Sequence, residues 1–479
     1  MLELIDSAVP IITILIAIVA TVFVFSGIDD LLMDVFYVVW RVFRRPAFNR
    51  KHRPLTREML LAEPQRPIAV MIPAWREDKV IRATLLRAIE KIQYDEYTIF
   101  VGVYPNDPAT RAEVEGARTL YPERIRIVEV GHDGPTTKAD CLNAIIADAF
   151  ALEQTTGKPF EIFVLDDAED AIPRYGFLVF NHLVPRKDFV QLPVFPEKVR
   201  WWKFTAGHYM DEFAQLHLKD MRTREWLTGV IPSAGVGAAF SRRAMLLAAE
   251  VNHGKVFSED TLTEDYELPL QLVRMKANEA FVEPGKPVYS EHPDIAPEVT
   301  VDEEYPYIRS AFPEKLRAAV RQKTRWVLGI SLQGWEHLGW RGGGAMHSYM
   351  LWRDRKVLFG NLANFAGYIL VVFTLGLWIT RWQITDDQTF PNVVPEGTLV
   401  WYLLIINFFI MLIQLIVRFA CTLTIYGLIH AVLSIPRAVW GNFINFLATT
   451  RALLFYFRAR KRHEPIPWDK TEHTPSELN

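Results

Sequence analysis

Two cysteines, Cys141 and Cys421, are all that the 479 residues contain. They are too few and too far apart for a disulfide scaffold or a thiolate metal site, so both are expected to be reduced thiols. An excess of positive charge is missing too. The 53 Lys and Arg face 56 Asp and Glu, a net charge of −3, which argues against a nucleic-acid partner and allows only local basic patches. Residues 1–8 have no Lys or Arg although an apolar run follows. A secretory signal needs a basic start and a small-residue cleavage site, whereas Asp29 and Asp30 stand where that site would fall, so residues 9–28 read as a retained anchor. Ser233-Ala234-Gly235-Val236-Gly237 has neither the dinucleotide nor the Walker spacing, which argues against a nucleotide hydrolase. Internal repeats and low-complexity segments are lacking, and residues 54–345 hold no run able to cross a bilayer.

What is present is apolar: 50% of residues are hydrophobic and 13% aromatic, with a mean hydropathy of +0.08. That is high for a soluble enzyme and low for a chain wholly in lipid, so it averages two unlike parts. Uncharged runs at 9–28, 357–380 and 399–417 are long enough to span. Arg41, Arg44, Arg45, Arg50, Lys51 and Arg53 follow the first, and Arg353, Arg355 and Lys356 precede the second. Arg418 follows the third, and Arg458, Arg460, Lys461 and Arg462 end the apolar region. The positive-inside rule then puts the amino end outside and the long middle and the tail in the cytoplasm. Parity allows three spans or five. Residues 419–457 are interrupted by His430, Pro436, Arg437, Asn442, Asn445 and Arg451, which suits helices lying in the interface, so three spans plus interfacial helices are expected. The organisation is an anchor with a basic juxtamembrane segment at 1–53, a cytoplasmic domain at 54–345, membrane and interfacial helices at 346–463 and a cytoplasmic tail at 464–479.

Within 54–345, short apolar runs at 67–72, 97–104, 124–130, 161–165 and 189–193 read as buried strands. Helix-like stretches such as 80–92, 138–150 and 242–250 lie between or after them. The alternation predicts an α/β domain with a mostly parallel sheet, its ligand site on loops leaving the carboxyl ends of the strands.

Asp166-Asp167-Ala168-Glu169-Asp170 follows the fourth of these runs. So many carboxylates repel one another unless a hard cation, Mg²⁺ or Mn²⁺, sits among them with substrate phosphates completing its shell; a solvated acidic turn is the other reading. Thr263-Glu264-Asp265 either caps a helix or supplies Asp265 as a general base toward an acceptor hydroxyl. On a helix, Gln322 shares a face with Arg325 and Trp326, gathering groups suited to a diphosphate and a sugar ring. The same segment also reads as a basic amphipathic helix anchored in lipid by Trp326. Gly235 and Gly237 either admit a close backbone approach or make an ordinary turn. Lys138 either reaches a phosphate or decorates a helix start.

Together these segments resemble the family-two inverting glycosyltransferases with a GT-A fold, in the membrane branch that includes cellulose and hyaluronan synthases. Pro73-Ala74-Trp75-Arg76-Glu77 resembles the Pro-Ala-Tyr-Asn-Glu that holds the uridine nucleotide, with Trp75 and Arg76 departing from it. Asp107 sits near where the family keeps a uracil-contacting Asp, and Lys138, Leu142 and Asn143 resemble its Lys-x-x-x-Leu-Asn element. Asp167-Ala168-Glu169 takes the place of the metal-binding Asp-x-Asp, with either Glu169 or Asp170 as the second ligand. Thr263-Glu264-Asp265 matches the catalytic Thr-Glu-Asp, and Gln322 to Trp326 matches Gln-x-x-Arg-Trp. The resemblance implies a metal-dependent inverting transferase of the bacterial inner membrane. Its donor would be a UDP-sugar and its acceptor a glycan or lipid among membrane lipids, with an envelope export partner for a polymer. Pro73, Ala74, Glu77, Asp107 and Lys138 would hold the nucleotide, Asp265 would be the base, and Glu264, Gln322, Arg325 and Trp326 would meet the acceptor and diphosphate. Longer relatives carry a carboxyl-terminal cyclic-di-GMP-binding domain, and direct regulation by that nucleotide is not expected here.

Overall fold

The computed structural model describes residues 2–44, 57–275, 277–282, 306–340, 344–385 and 393–462. The basic residues Arg45, Arg50, Lys51 and Arg53 and the expected tail at 464–479 lie outside them.

The apolar runs form the strands β1 (Ile68–Pro73), β2 (Tyr97–Val103), β3 (Ile125–Glu129), β4 (Ile162–Leu165) and β5 (Phe189–Gln191). Four more complete the set: β6 (Val194–Pro196), β7 (Ala238–Ser241), β8 (Glu279–Phe281) and β9 (Ile308–Ser310). The main sheet runs β3-β2-β1-β4-β7-β5-β8. Pairing is parallel except where β7 lies antiparallel between β4 and β5. This is the GT-A-like α/β arrangement with a mostly parallel sheet. Side chains alternate along β1, Ile68, Val70 and Ile72 entering one apolar layer and Ala69 and Met71 the other, as a sheet covered on both faces requires. Chain order reverses at β1, which has β2 on one side and β4 on the other, so the loops after β1 and β4 diverge and open a crevice. A second pair, β6 with β9, joins segments more than a hundred residues apart and brings Ser310 toward that crevice.

Helix Lys138–Thr156 starts at the crevice because Thr137 accepts the Asp140 amide at 3.2 Å, and it stops at Gly157, whose φ of 70° closes the last turn. Helix Glu264–Leu272 and helix Leu316–Trp326 stand around the same opening.

Three helices are long and apolar enough to cross a membrane: Ser7–Arg44, Ala345–Ile384 and Leu399–Tyr426. Each outruns the uncharged stretch that announces it, and in the first two the charges beyond it find partners. The first continues through Asp29, where Arg353 and Lys356 of the second meet it, and through Asp34, which meets Lys219. The third continues past Arg418 to Tyr426, so residues 419–426 belong to it and not to an interfacial helix. The remainder forms one long helix, Leu428–Arg462, running through Pro436. Leu428, Val432, Ile435 and Val439 are exposed along one side of it, while His430, Ser434, Arg437 and Gly441 are buried. Arg437 forks onto Asp211 at 2.8 Å through both Nε and Nη2.

Candidate active site

The acidic turn after β4 divides into inward and outward members. Asp166 is 1% exposed and its Oδ1 accepts the Gly237 amide at 2.8 Å; burial pushes its carboxyl up to about 7. Asp170 is also buried and turns back to accept the Asp167 amide at 3.0 Å; burial, then the charges of Glu169, Asp167 and Asp166, raise it. Asp167 and Glu169 line the crevice, and Asp170 does not. Lys138 Nζ lies 2.5 Å from Asp167 Oδ1. Burial would lower this ammonium, yet Asp167, Glu264 and Asp265 around it hold it above its ordinary value.

Among the described residues no three His, Cys, Asp or Glu side chains converge as a metal cage. Asp167 and Glu169 nevertheless fit a hard cation of the Mg²⁺ type, which binds one or two carboxylates and takes its other oxygens from substrate phosphates and water.

Opposite this turn, Thr263 occupies the cap position of helix Glu264–Leu272 but its hydroxyl makes no capping bond. The cap reading of that segment therefore does not account for it. Gly329, in the π-helical turn after Trp326, packs so closely on Thr263 that an ideal Cβ there would lie 2.2 Å from its Oγ1. Gln333 ties down the approach to the helix, donating to the Asp260 carbonyl and accepting the Leu262 amide, both at 3.0 Å. Asp265 is held by the Tyr266 amide at 2.8 Å, and its Oδ2 occupies the space a Cβ on Gly235 would take, at 2.1 Å. Gly235, at φ 81°, is thus required for the approach of this carboxylate. Burial pushes Glu264 up to about 7, helped by the charge of Asp265. Burial also raises Asp265, against the pull of Lys138.

Gln322, Arg325 and Trp326 line the same crevice. Gln322 Oε1 is buried with no hydrogen-bond partner among the described residues. Trp326 stands against Phe213 and Phe312, ring centroids 6.1 and 6.5 Å away, and these two aromatics also face the opening. At the β1 end the lining includes Pro73, Ala74, Trp75, Glu77 and Tyr104, with Trp75 set edge-on to Tyr104 at 5.1 Å. Asp107 stands apart from them. It caps helix Pro108–Leu120 through the Thr110 amide and accepts the Arg76 amide at 2.6 Å, so it shapes the loop and does not line the crevice.

The opening is one continuous cavity of about 650 Å³ that runs past Arg224 and Glu212 to Met33, Met350, Arg353 and Arg418 on the membrane helices. Glu212, Phe213, Arg224 and Phe312 carry no motif and are brought in by folding. Asp166 and Gly235 lay inside segments already singled out, and their roles depend on pairings across the sheet.

A profile of the glycosyltransferase-like family 2 matches residues 64–329. Two curated relatives, bacteriophage adsorption protein B of Escherichia coli K12 and bacteriophage N4 adsorption protein B of Escherichia coli O157:H7, are each 36% identical over 465 residues. Those matches cover 95% of this chain and 61% of either relative, so the chain spans about three fifths of their length. Among solved structures, mannosyltransferase PcManGT from Pyrobaculum calidifontis, in complex with GDP-Man and Mn²⁺, is 15% identical. The match covers 88% of this chain and 98% of that one, at a TM-score of 0.47. S. aureus TarS 1-349 is 10% identical, with coverages of 84% and 94% and a TM-score of 0.35. With more than half its length matched, the chain belongs to glycosyltransferase family 2.

Proposed function

We propose that this chain is an inverting membrane transferase that takes a sugar from a UDP-sugar and builds a polysaccharide at the cytoplasmic face of a bacterial inner membrane, its amino end outside. The observation that carries the reading is the single cavity. It joins acids suited to a cation-bound diphosphate, the Asp265 carboxylate and an aromatic wall, and it continues to the membrane helices.

Pro73, Ala74, Glu77 and the Trp75–Tyr104 pair border the nucleotide, while Asp107 supports their loop. A divalent cation on Asp167 and Glu169 would neutralise negative charge gathering on the diphosphate. Lys138 and Arg325 supply fixed positive charge for the same oxygens. Arg325 has no ion-pair partner among the described residues, which leaves it available. Asp265 accepts the acceptor hydroxyl proton as the new oxygen–carbon bond forms and the bond to the diphosphate breaks. Single displacement by that oxygen inverts the anomeric centre and releases UDP. Gln322 Oε1, Glu264 and the Trp326 ring orient the acceptor, whose near-attack placement lowers the barrier. A polymer would then need an envelope export partner.

Membranes containing the protein, or its Asp265→Asn variant, are incubated with a panel of UDP-sugars and Mg²⁺ or Mn²⁺, following UDP release and label in lipid and polymer fractions. Cation-dependent release that vanishes in the variant, with label in polymer, is the expected result. A single labelled sugar on lipid replaces the polysaccharide with a glycolipid product. UDP binding without release from any donor overturns the enzyme reading in favour of a scaffold that keeps the fold.

A further inference from the structure

Four consecutive charged residues, Arg353-Asp354-Arg355-Lys356, stand near the start of helix Ala345–Thr385, and the reaction described above uses none of them. Residues three apart share a helix face. Arg353 and Lys356 accordingly both turn to the first membrane helix. Arg353 donates to the Asp29 carboxylate, to the Asp29 carbonyl at 3.1 Å and to Asp30 at 3.2 Å. Lys356 donates to Asp29, to Asp30 at 2.7 Å and to the Ser26 carbonyl at 3.1 Å.

The two residues between them face the catalytic unit. Asp354 takes both terminal nitrogens of Arg224 at 2.8 Å and the Tyr266 hydroxyl at 2.5 Å, while its carbonyl accepts Ser331 Oγ at 2.8 Å. Arg355 donates to the Gly334 and Gly339 carbonyls at 3.2 and 2.6 Å and lies 4.2 Å from the Trp340 ring centroid. Tyr266 is the residue after Asp265 and is held at both ends, its hydroxyl on Asp354 and its amide on the Asp265 carboxylate.

We propose that this quartet is a two-sided clasp in which Asp354 is a positioning residue, setting the aim of the Asp265 carboxylate from the membrane side through Tyr266 and Arg224. The proposal rests on Asp265 being the base. A shift of the Tyr266 ring turns the first turn of its helix, and a displacement of about 1 Å at a reacting group costs on the order of a hundredfold in rate. The seat of the first membrane helix on Asp29 is thereby linked to turnover, with the nucleotide end of the cavity left untouched.

The test uses the full chain in lipid nanodiscs. UDP affinity is measured by titration calorimetry and steady-state kinetics with the UDP-sugar that supports turnover, for Asp354→Asn, Asp354→Glu, Tyr266→Phe, Asp29→Asn and Asp265→Asn. UDP affinity is expected to stay within about twofold while kcat falls about ten- to a hundredfold in Asp354→Asn and Tyr266→Phe, with part regained in Asp354→Glu. Asp29→Asn lowers kcat less, and combining it with Asp354→Asn adds nothing further, because both act through one link. Tyr266→Phe keeps the buried ring, so a loss there with UDP affinity intact is not misfolding. Unchanged kcat in Asp354→Asn and Tyr266→Phe beside an inactive Asp265→Asn overturns the clasp and leaves the base standing. A raised KM with unchanged kcat makes Asp354 a substrate contact and also overturns it. A fully active Asp265→Asn overturns the base and the clasp together.

Discussion

Buried charge is handled in opposite ways at the cavity and along the seam between the catalytic unit and the membrane helices. Along the seam carboxylates meet cations: Asp29 and Asp30 share Arg353 and Lys356, Asp34 and Asp220 share Lys219, Asp211 has Arg437 and Asp354 has Arg224. At the cavity Asp167, Glu264 and Asp265 crowd around Lys138, with Asp166 and Asp170 buried in the same acidic turn as Asp167, and burial raises Asp166, Asp170, Glu264 and Asp265. Paired charge fixes geometry. Negative charge in excess of its cations is tolerated where, as proposed here, a ligand bringing a cation and a diphosphate relieves it, and perturbed acids gather at functional sites.

Asp265→Asn is the sharpest way to break this contrast. A general base contributes on the order of 10³ in rate, about 4 kcal/mol of barrier, so turnover should fall by that factor while UDP binding persists. Removing a seam acid should do the reverse. Asp211 and Arg437 are both 0% exposed, and Asp211→Asn leaves the guanidinium unpaired at a cost of about 3–5 kcal/mol. Thermal unfolding in detergent should show that loss, and an unaltered midpoint would refute the structural role given to the seam.

The cavity should also respond to cations and protons as alternatives. Asp166 and Glu264 are pushed up to about 7, so the folded state binds protons that the unfolded chain has already released. The stability they contribute is complete at pH values below about 4 and is lost as pH rises through about 7. Without divalent ions the protein is then more stable at pH 6 than at pH 8. Mn²⁺ at about a hundred times its Kd should add about 2.7 kcal/mol, with more effect at pH 8, and Asp167→Ala should abolish the gain. Equal stabilisation in that variant would place the cation elsewhere.

Much of this arrangement was legible because the chemistry is local. The acids after β4, the Glu264-Asp265 pair and the Gln322 to Trp326 face are each contiguous, and five strand-like apolar runs became β1 to β5. What escaped was set by distance along the chain. Ala238–Ser241 follows a glycine loop and is not among those runs, yet inserting antiparallel between β4 and β5 makes it β7. Asp107 and Asp170 have the right residue type for ligand contact, yet each is committed to a nearby amide. The membrane helices extend beyond their uncharged runs because Asp29 and Arg353 are 324 residues apart in sequence and meet only in three dimensions.

The smallest expected effect separates the two acid populations by pH alone. The base proposed at Asp265 works only when deprotonated, so kcat should fall on the acid side. Burial places that limb above the ordinary carboxylate range, while Lys138 is the strongest influence holding it down. Lys138→Gln should therefore move the acid limb of kcat to higher pH, and Arg325→Gln should move it the same way by less. Measuring kcat at saturating UDP-sugar keeps this shift distinct from the weaker diphosphate binding that either substitution also brings. The seam offers the contrast: Arg437→Gln has no charge near Asp265 to remove, so whatever rate it loses, its limb should stay in place. A limb that ignores Lys138 would mean that the titrating base is another group, and the excess acid of the cavity would then serve cation binding alone.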